Sequence, residues 1–103
     1  MTEETFFKNY LPALEKAIES SPRYKSSFEI HDADFFIENE NTRNSIDEFI
    51  ESNYSEYSVF FDDIFAYFDI NAHGIESHNG VSLEEVKRRI EKSIVLYKKK
   101  FNL

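Results

Sequence analysis

Residues 58–80, SVFFDDIFAYFDINAHGIESHNG, hold the densest set of side chains that could do chemistry in this chain. Asp69, Asn71, His73 and Gly74 stand at relative positions 1, 3, 5 and 6, the order in which a helix-flanked calcium loop places its first ligands and its turn glycine. The register then breaks. The eighth position is Glu76 instead of an aliphatic residue, and the twelfth is Gly80 instead of a bidentate glutamate. The run Val81-Ser82-Leu83-Glu84-Glu85 resembles the second half of such a loop but arrives five residues late, leaving Glu85 far from the first ligands. His73, Glu76 and His78 are conceivable zinc ligands, yet helical zinc sites use histidines four apart and these two are five apart in a loop. His31, in His31-Asp32-Ala33-Asp34, is a weaker case. Asp62 and Asp63 could serve as an acid–base pair, but neighbours on a helix point about 100° apart. No nucleophile, cleft signature or phosphate-binding loop accompanies them. The expectation is therefore a non-enzymatic chain with neither metal nor cofactor.

What remains in this stretch is a combination of rings and carboxylates. Phe60, Phe61, Ile64, Phe65 and Phe68 recur at helical spacing and read as core. Asp62, Asp63, Ala66, Tyr67 and Asp69 are then left for the other faces. The same mixture continues upstream through Asp47, Glu48, Glu51, Tyr54, Glu56 and Tyr57. Between His31 and Ile70 there are eleven acids and one base, Arg43, whereas Ser82 to Leu103 carries seven bases and three acids. Tyrosines beside carboxylates, with bases excluded, suit an interface in which rings anchor and acids meet Lys or Arg. The candidate partner-binding residues are Asp47, Glu48, Glu51, Tyr54, Glu56, Tyr57, Asp62, Asp63 and Tyr67.

The elements that must position these residues read as four helices. Over residues 2–20, Phe6, Phe7, Tyr10, Leu11, Leu14, Ala17 and Ile18 form one apolar stripe, with Pro12 expected to kink or split it. Residues 24–37 show a weak strand alternation, suggesting an extended or short-strand segment. Ser45-Ile46-Asp47-Glu48 has capping-box spacing and places a second helix of about ten residues there. Ser55 or Ser58 opens a third helix, followed by a loop over 69–80. Ser82-Leu83-Glu84-Glu85 is another capping box. It opens the longest helix, with Leu83, Val86, Ile90, Ile94, Tyr97 and Phe101 spaced 3, 4, 4, 3 and 4. The expected fold is mainly α: a compact four-helix domain over residues 1–103.

Composition sets the limits. At 103 residues the chain has room for one core, and eleven Phe and six Tyr with no Trp indicate a core of rings. There are no cysteines, which excludes disulfides and thiolate metal sites. A net charge of −8 argues against direct nucleic-acid binding, which draws its affinity from Lys and Arg on phosphates. No apolar run reaches the roughly 20 residues of a membrane span. The acidic MTEETFFKNYL start has no signal-peptide pattern, so a cytoplasmic protein is expected.

In size, acidity, absence of cysteine and a central Asp/Glu/Tyr surface, the chain resembles the small bacterial immunity proteins and antitoxins. The resemblance is one of overall character. It implies competitive occlusion of a nuclease toxin's basic active-site surface, with carboxylates standing in for phosphates. A phage-encoded inhibitor of a host defence nuclease has the same character. The C-terminal half, FDINAHGIESHNGVSLEEVKRRIEK, is similar to the end of an acyl-carrier domain, but the Asp-Ser-Leu that bears the prosthetic group is missing. That resemblance implies a binding module without the modification.

Overall fold

The computed structural model describes residues 1–20, 33, 34 and 36–103. Four helices share one hydrophobic core: α1 (Glu3–Ser20), α2 (Glu40–Asn53), α3 (Ser58–His73) and α4 (Leu83–Lys100). A hairpin of two short antiparallel strands, β1 (Ser77–His78) and β2 (Val81–Ser82), joins α3 to α4. The mainly α, four-helix expectation holds. Most of the proposed strand over 24–37 lies outside the described residues; residues 33, 34 and 36 form a 3₁₀ turn, and the Ile37 amide donates to the Asp34 carbonyl at 2.8 Å. No described helix is long and apolar enough to cross a membrane.

Several local expectations need correction. α1 runs unbroken through Pro12. The proline is exposed, as is Lys8, whose carbonyl loses its helical donor, so that group stays accessible to solvent. α2 starts five residues before Ser45. Its cap is Asn39, whose side chain accepts from the Thr42 amide at 3.1 Å, so Ser45 lies inside the helix and its capping-box spacing is coincidental. α3 continues through Asp69 and Asn71 to His73, where Gly74 ends it in the left-handed region at φ 61°. The loop expected over 69–80 is instead the last turn of α3, a short link at 74–76 and the start of the hairpin. Asn79 and Gly80 both have positive φ, 51° and 80°, as a two-residue hairpin turn of the I′ type requires. At Ser82 the cap is real but only half of a capping box forms: Ser82 Oγ accepts from the Glu85 amide at 3.3 Å, while the Glu85 carboxylate turns to Arg88.

The core is organised around two adjacent rings on α1. Phe6 stacks on Phe49 of α2 at 4.1 Å between centroids and meets Phe61 of α3 edge-on at 6.2 Å. Phe7 points the other way. It stacks on Tyr97 at 4.3 Å and Phe101 at 5.2 Å, and meets Tyr57 edge-on at 5.3 Å. Both rings are fully buried. Neighbouring helical residues diverge by about 100°, which lets this pair serve two ring clusters at once. Replacing Phe6 or Phe7 with Ala is expected to cost about 3–5 kcal/mol, a large share of the stability of a domain this size. Urea unfolding would measure it, and a loss below about 1 kcal/mol would show that the two rings are not the hub.

Candidate functional site

The α2–α3 turn brings part of the acidic set together. Asp47, Glu51 and Tyr54 are four and three residues apart and therefore share a flank of α2. Glu48 lies farther round the same helix, and Glu56 is exposed in the turn. From α3, Asp62 reaches back to this flank, and the Tyr54 hydroxyl donates to its Oδ1. Glu48, Glu51, Tyr54, Glu56 and Asp62 are exposed and Asp47 is half-buried.

Three of the nine expected contact residues do not face solvent. Tyr57 is 7% exposed and Tyr67 4%. The Tyr57 hydroxyl donates to Glu3 and ties the turn to the start of α1, while the Tyr67 hydroxyl points to the Ile18 carbonyl at 3.4 Å. Neither ring can anchor a partner; both are part of the core packing. Asp63 is 8% exposed, turned toward Arg89 of α4 at 3.6 Å. Phe65 is reversed in the opposite sense. Its size and spacing assign it to the core, but it is 41% exposed, and the smaller Ala66 takes the buried position. α3 packs against α4 as well as against α1 and α2, which widens its buried arc and moves it round toward Asp63 and Ala66.

Phe65 borders a groove between α3, the hairpin and α4. The hairpin is fixed there by His78, whose Nδ1 lies 3.1 Å from Asp69 Oδ2 and whose ring meets Phe65 edge-to-face at 5.9 Å. His73 Nε2 approaches the other oxygen of Asp69 at 3.4 Å. Asn71, the third ligand of the supposed calcium loop, donates instead to the Tyr67 carbonyl at 3.0 Å. Among the described residues no group of three His, Cys, Asp or Glu is placed to hold a metal ion. The calcium spacing dissolves because its first residues lie on a helix and not in a loop.

No family model, no curated protein and no solved structure matches the chain. The geometry alone therefore carries the functional reading.

The charges are segregated. Acids that have cations draw them largely from α4: Glu85 with Arg88 at 2.6 Å, Glu91 with Lys87 at 4.0 Å, Glu15 with Lys98 at 2.7 Å and Asp63 with Arg89. The Arg88 guanidinium holds the Glu85 carboxyl below its ordinary range. Among the described residues Glu48, Glu51, Glu56 and Asp62 form no ion pair. Burial pushes the Asp63 carboxyl up, against the opposing pull of Arg89. The hydrogen bond to Asp62, together with burial, pushes the Tyr54 hydroxyl up to about 12.

Two titrations follow from these shifts. Tyr54 should resist ionisation in an ultraviolet pH titration, and Asp62→Asn should return it toward about 10. A Tyr54 that ionises with the unperturbed rings would show that the bond is not made. Asp63 has a raised folded value, so its contribution to stability is fully present below its unfolded value and is lost as pH rises through the folded one. The stability of Asp63→Asn minus that of the wild type should therefore increase as pH rises from the ordinary carboxylate range through the raised folded value, read by urea unfolding, and then level off. A flat difference would mean that the carboxylate is fully compensated.

Proposed function

We propose that this chain is a non-enzymatic, acidic inhibitor that binds a basic protein. On this reading it is an immunity protein or antitoxin that covers the basic active-site surface of a nuclease toxin in the cytoplasm. The carrying observation is the unneutralised set Glu48, Glu51, Glu56 and Asp62 on α2, the turn and α3, with the exposed Tyr54 bonded to Asp62. The chain has cations to spare: Lys92, Lys99 and Lys100 are all exposed, but they lie on α4, away from these acids in sequence. Exposed carboxylates that share a flank raise one another's energy, and an arriving Lys or Arg relieves that repulsion. Such a surface steers a basic partner into encounter, and Tyr54, oriented by Asp62, supplies an exposed ring beside it. Carboxylates so placed mimic a run of phosphates, the ligand that a nuclease surface is built to hold. The carrier-like alternative has no comparable support, since Ser45 lies within α2 rather than at its start.

The test is capture and reversal. Tagged protein should retain one basic protein stoichiometrically at low salt and less of it at about 0.5 M salt, where screening is strong. The triple variant Glu48→Lys, Glu51→Lys, Asp62→Lys should bind that protein roughly 10–100-fold more weakly and with a shallower salt dependence, with an unchanged circular dichroism spectrum. The wild-type chain should also block the captured protein's nuclease activity. A captured partner whose affinity ignores the three reversals would remove the acidic surface from the mechanism.

A further inference from the structure

The groove beside the acidic flank has a different character from the rest of the surface. It holds about 220 Å³ and is bounded by Asp62, Asp63 and Phe65 of α3, His78 and Val81 of the hairpin and Arg89 of α4. That is below the 300–1,000 Å³ typical of small-molecule sites, and it suits a single side chain. The larger groove between α1 and α4, about 420 Å³, has two of its three glutamates tied to lysines, Glu15 to Lys98 at 2.7 Å and Glu91 to Lys87 at 4.0 Å, and no aromatic wall.

We infer that the groove between α3, the hairpin and α4 is a socket for one arginine side chain of a basic partner protein. The identity of the partner rests on the inhibitor reading above; the chemistry of the socket does not. Two carboxylates, Asp62 and Asp63, line it against the single guanidinium of Arg89. That guanidinium is divided, with Nη1 3.6 Å from Asp63 and Nε 3.5 Å from Glu85. Asp63 is 8% exposed, and among the described residues its one cation is Arg89, shared with Glu85. The site is thus short of positive charge. Val81 and the floor of Ala66 and Val86 are apolar and can take a methylene stem. Phe65, partly exposed and braced by the His78 ring, presents an aromatic wall. A planar guanidinium satisfies all three features: it stacks on a ring, forks across two carboxylates and is weakly hydrated. A lysine ammonium provides the charge but neither the fork nor the plane, and it holds its water more tightly.

The probe is the peptide acetyl-Gly-Arg-Gly-amide, followed by amide-resolved NMR, with its lysine and citrulline counterparts as controls. The arginine peptide should give saturable shifts at Phe65, Ala66, Asn79 and the Arg89 Nε–H. The lysine peptide should bind at least about threefold more weakly and the citrulline peptide should not saturate. Phe65→Ala, at an exposed position that leaves the core intact, should abolish saturation, and Asp62→Asn should weaken it about tenfold. Linear shifts, or equal saturation by citrulline, would overturn the socket. Failure here is separable from failure of the inhibitor reading. A captured basic protein that binds Phe65→Ala as tightly as wild type removes the socket alone. A saturable arginine site on a chain that captures no basic protein upholds the socket and removes the inhibitor.

Discussion

The packing of Phe6 and Phe7 in opposite directions from one turn of α1 is the constraint on which the other elements depend. Phe6 fixes α2 and the near side of α3 through Phe49 and Phe61, and Phe7 fixes α4 through Tyr97 and Phe101. Tyr57 joins the two clusters, lying edge-on to Phe7 while its hydroxyl is held by Glu3. The α2–α3 turn is thereby pinned at both faces. That pinning sets Tyr54 within reach of Asp62, so the acidic flank is a product of the ring core and not a separate feature. Aromatic pairs add about 0.5–1.5 kcal/mol each beyond the area they bury, which favours this one arrangement over looser apolar packings.

The placement of α4 divides the charge. Its arginines reach α3 and its own first turn, and Lys98 reaches α1, but no described ion pair extends from it to α2. A protein with a net charge of −8 must leave many acids without cations somewhere, and that alone predicts no interface. What distinguishes the α2–α3 flank is that one of its acids orients an exposed ring and that it adjoins a groove lined by two carboxylates and a single guanidinium. Solvated acidic faces ordinarily lack both.

Helical periodicity made the four helices legible, because each core stripe repeats at 3 or 4 residues and two of the helix starts, at Thr2 and Ser82, carry usable caps. Three things were not legible, for separable reasons. Asn79-Gly80 is the strongest short hairpin signal a sequence can carry, but it lacked long flanking strands, and a metal-loop reading of Asp69 to Gly80 masked it. At Ser45 local spacing imitates a cap, but the helix starts five residues earlier, capped by Asn39, whose side chain accepts from the Thr42 amide. The partition of α3 could not come from periodicity alone. A helix packed on two sides has no single polar face, so large Phe65 lies at the surface while Asp63 and Tyr67 are enclosed. The acidic stretch was therefore legible as a region, but not which of its residues are enclosed: Tyr57, Asp63 and Tyr67 lie in the core.

The stacking of Phe7 on Tyr97 and Phe101 also has a consequence for biosynthesis. Half of the ring core cannot form until α4 has left the ribosome, roughly ninety residues after Phe7 emerges. At about 5–20 residues per second, α1 and its unpaired phenylalanines wait on the order of 5–20 seconds for their last partners. During that interval Phe7 is a sticky surface on a nascent chain, available to a holdase or to a neighbouring copy. Completion of this core therefore waits on α4, and what shelters that interval matters alongside the stability of the finished domain.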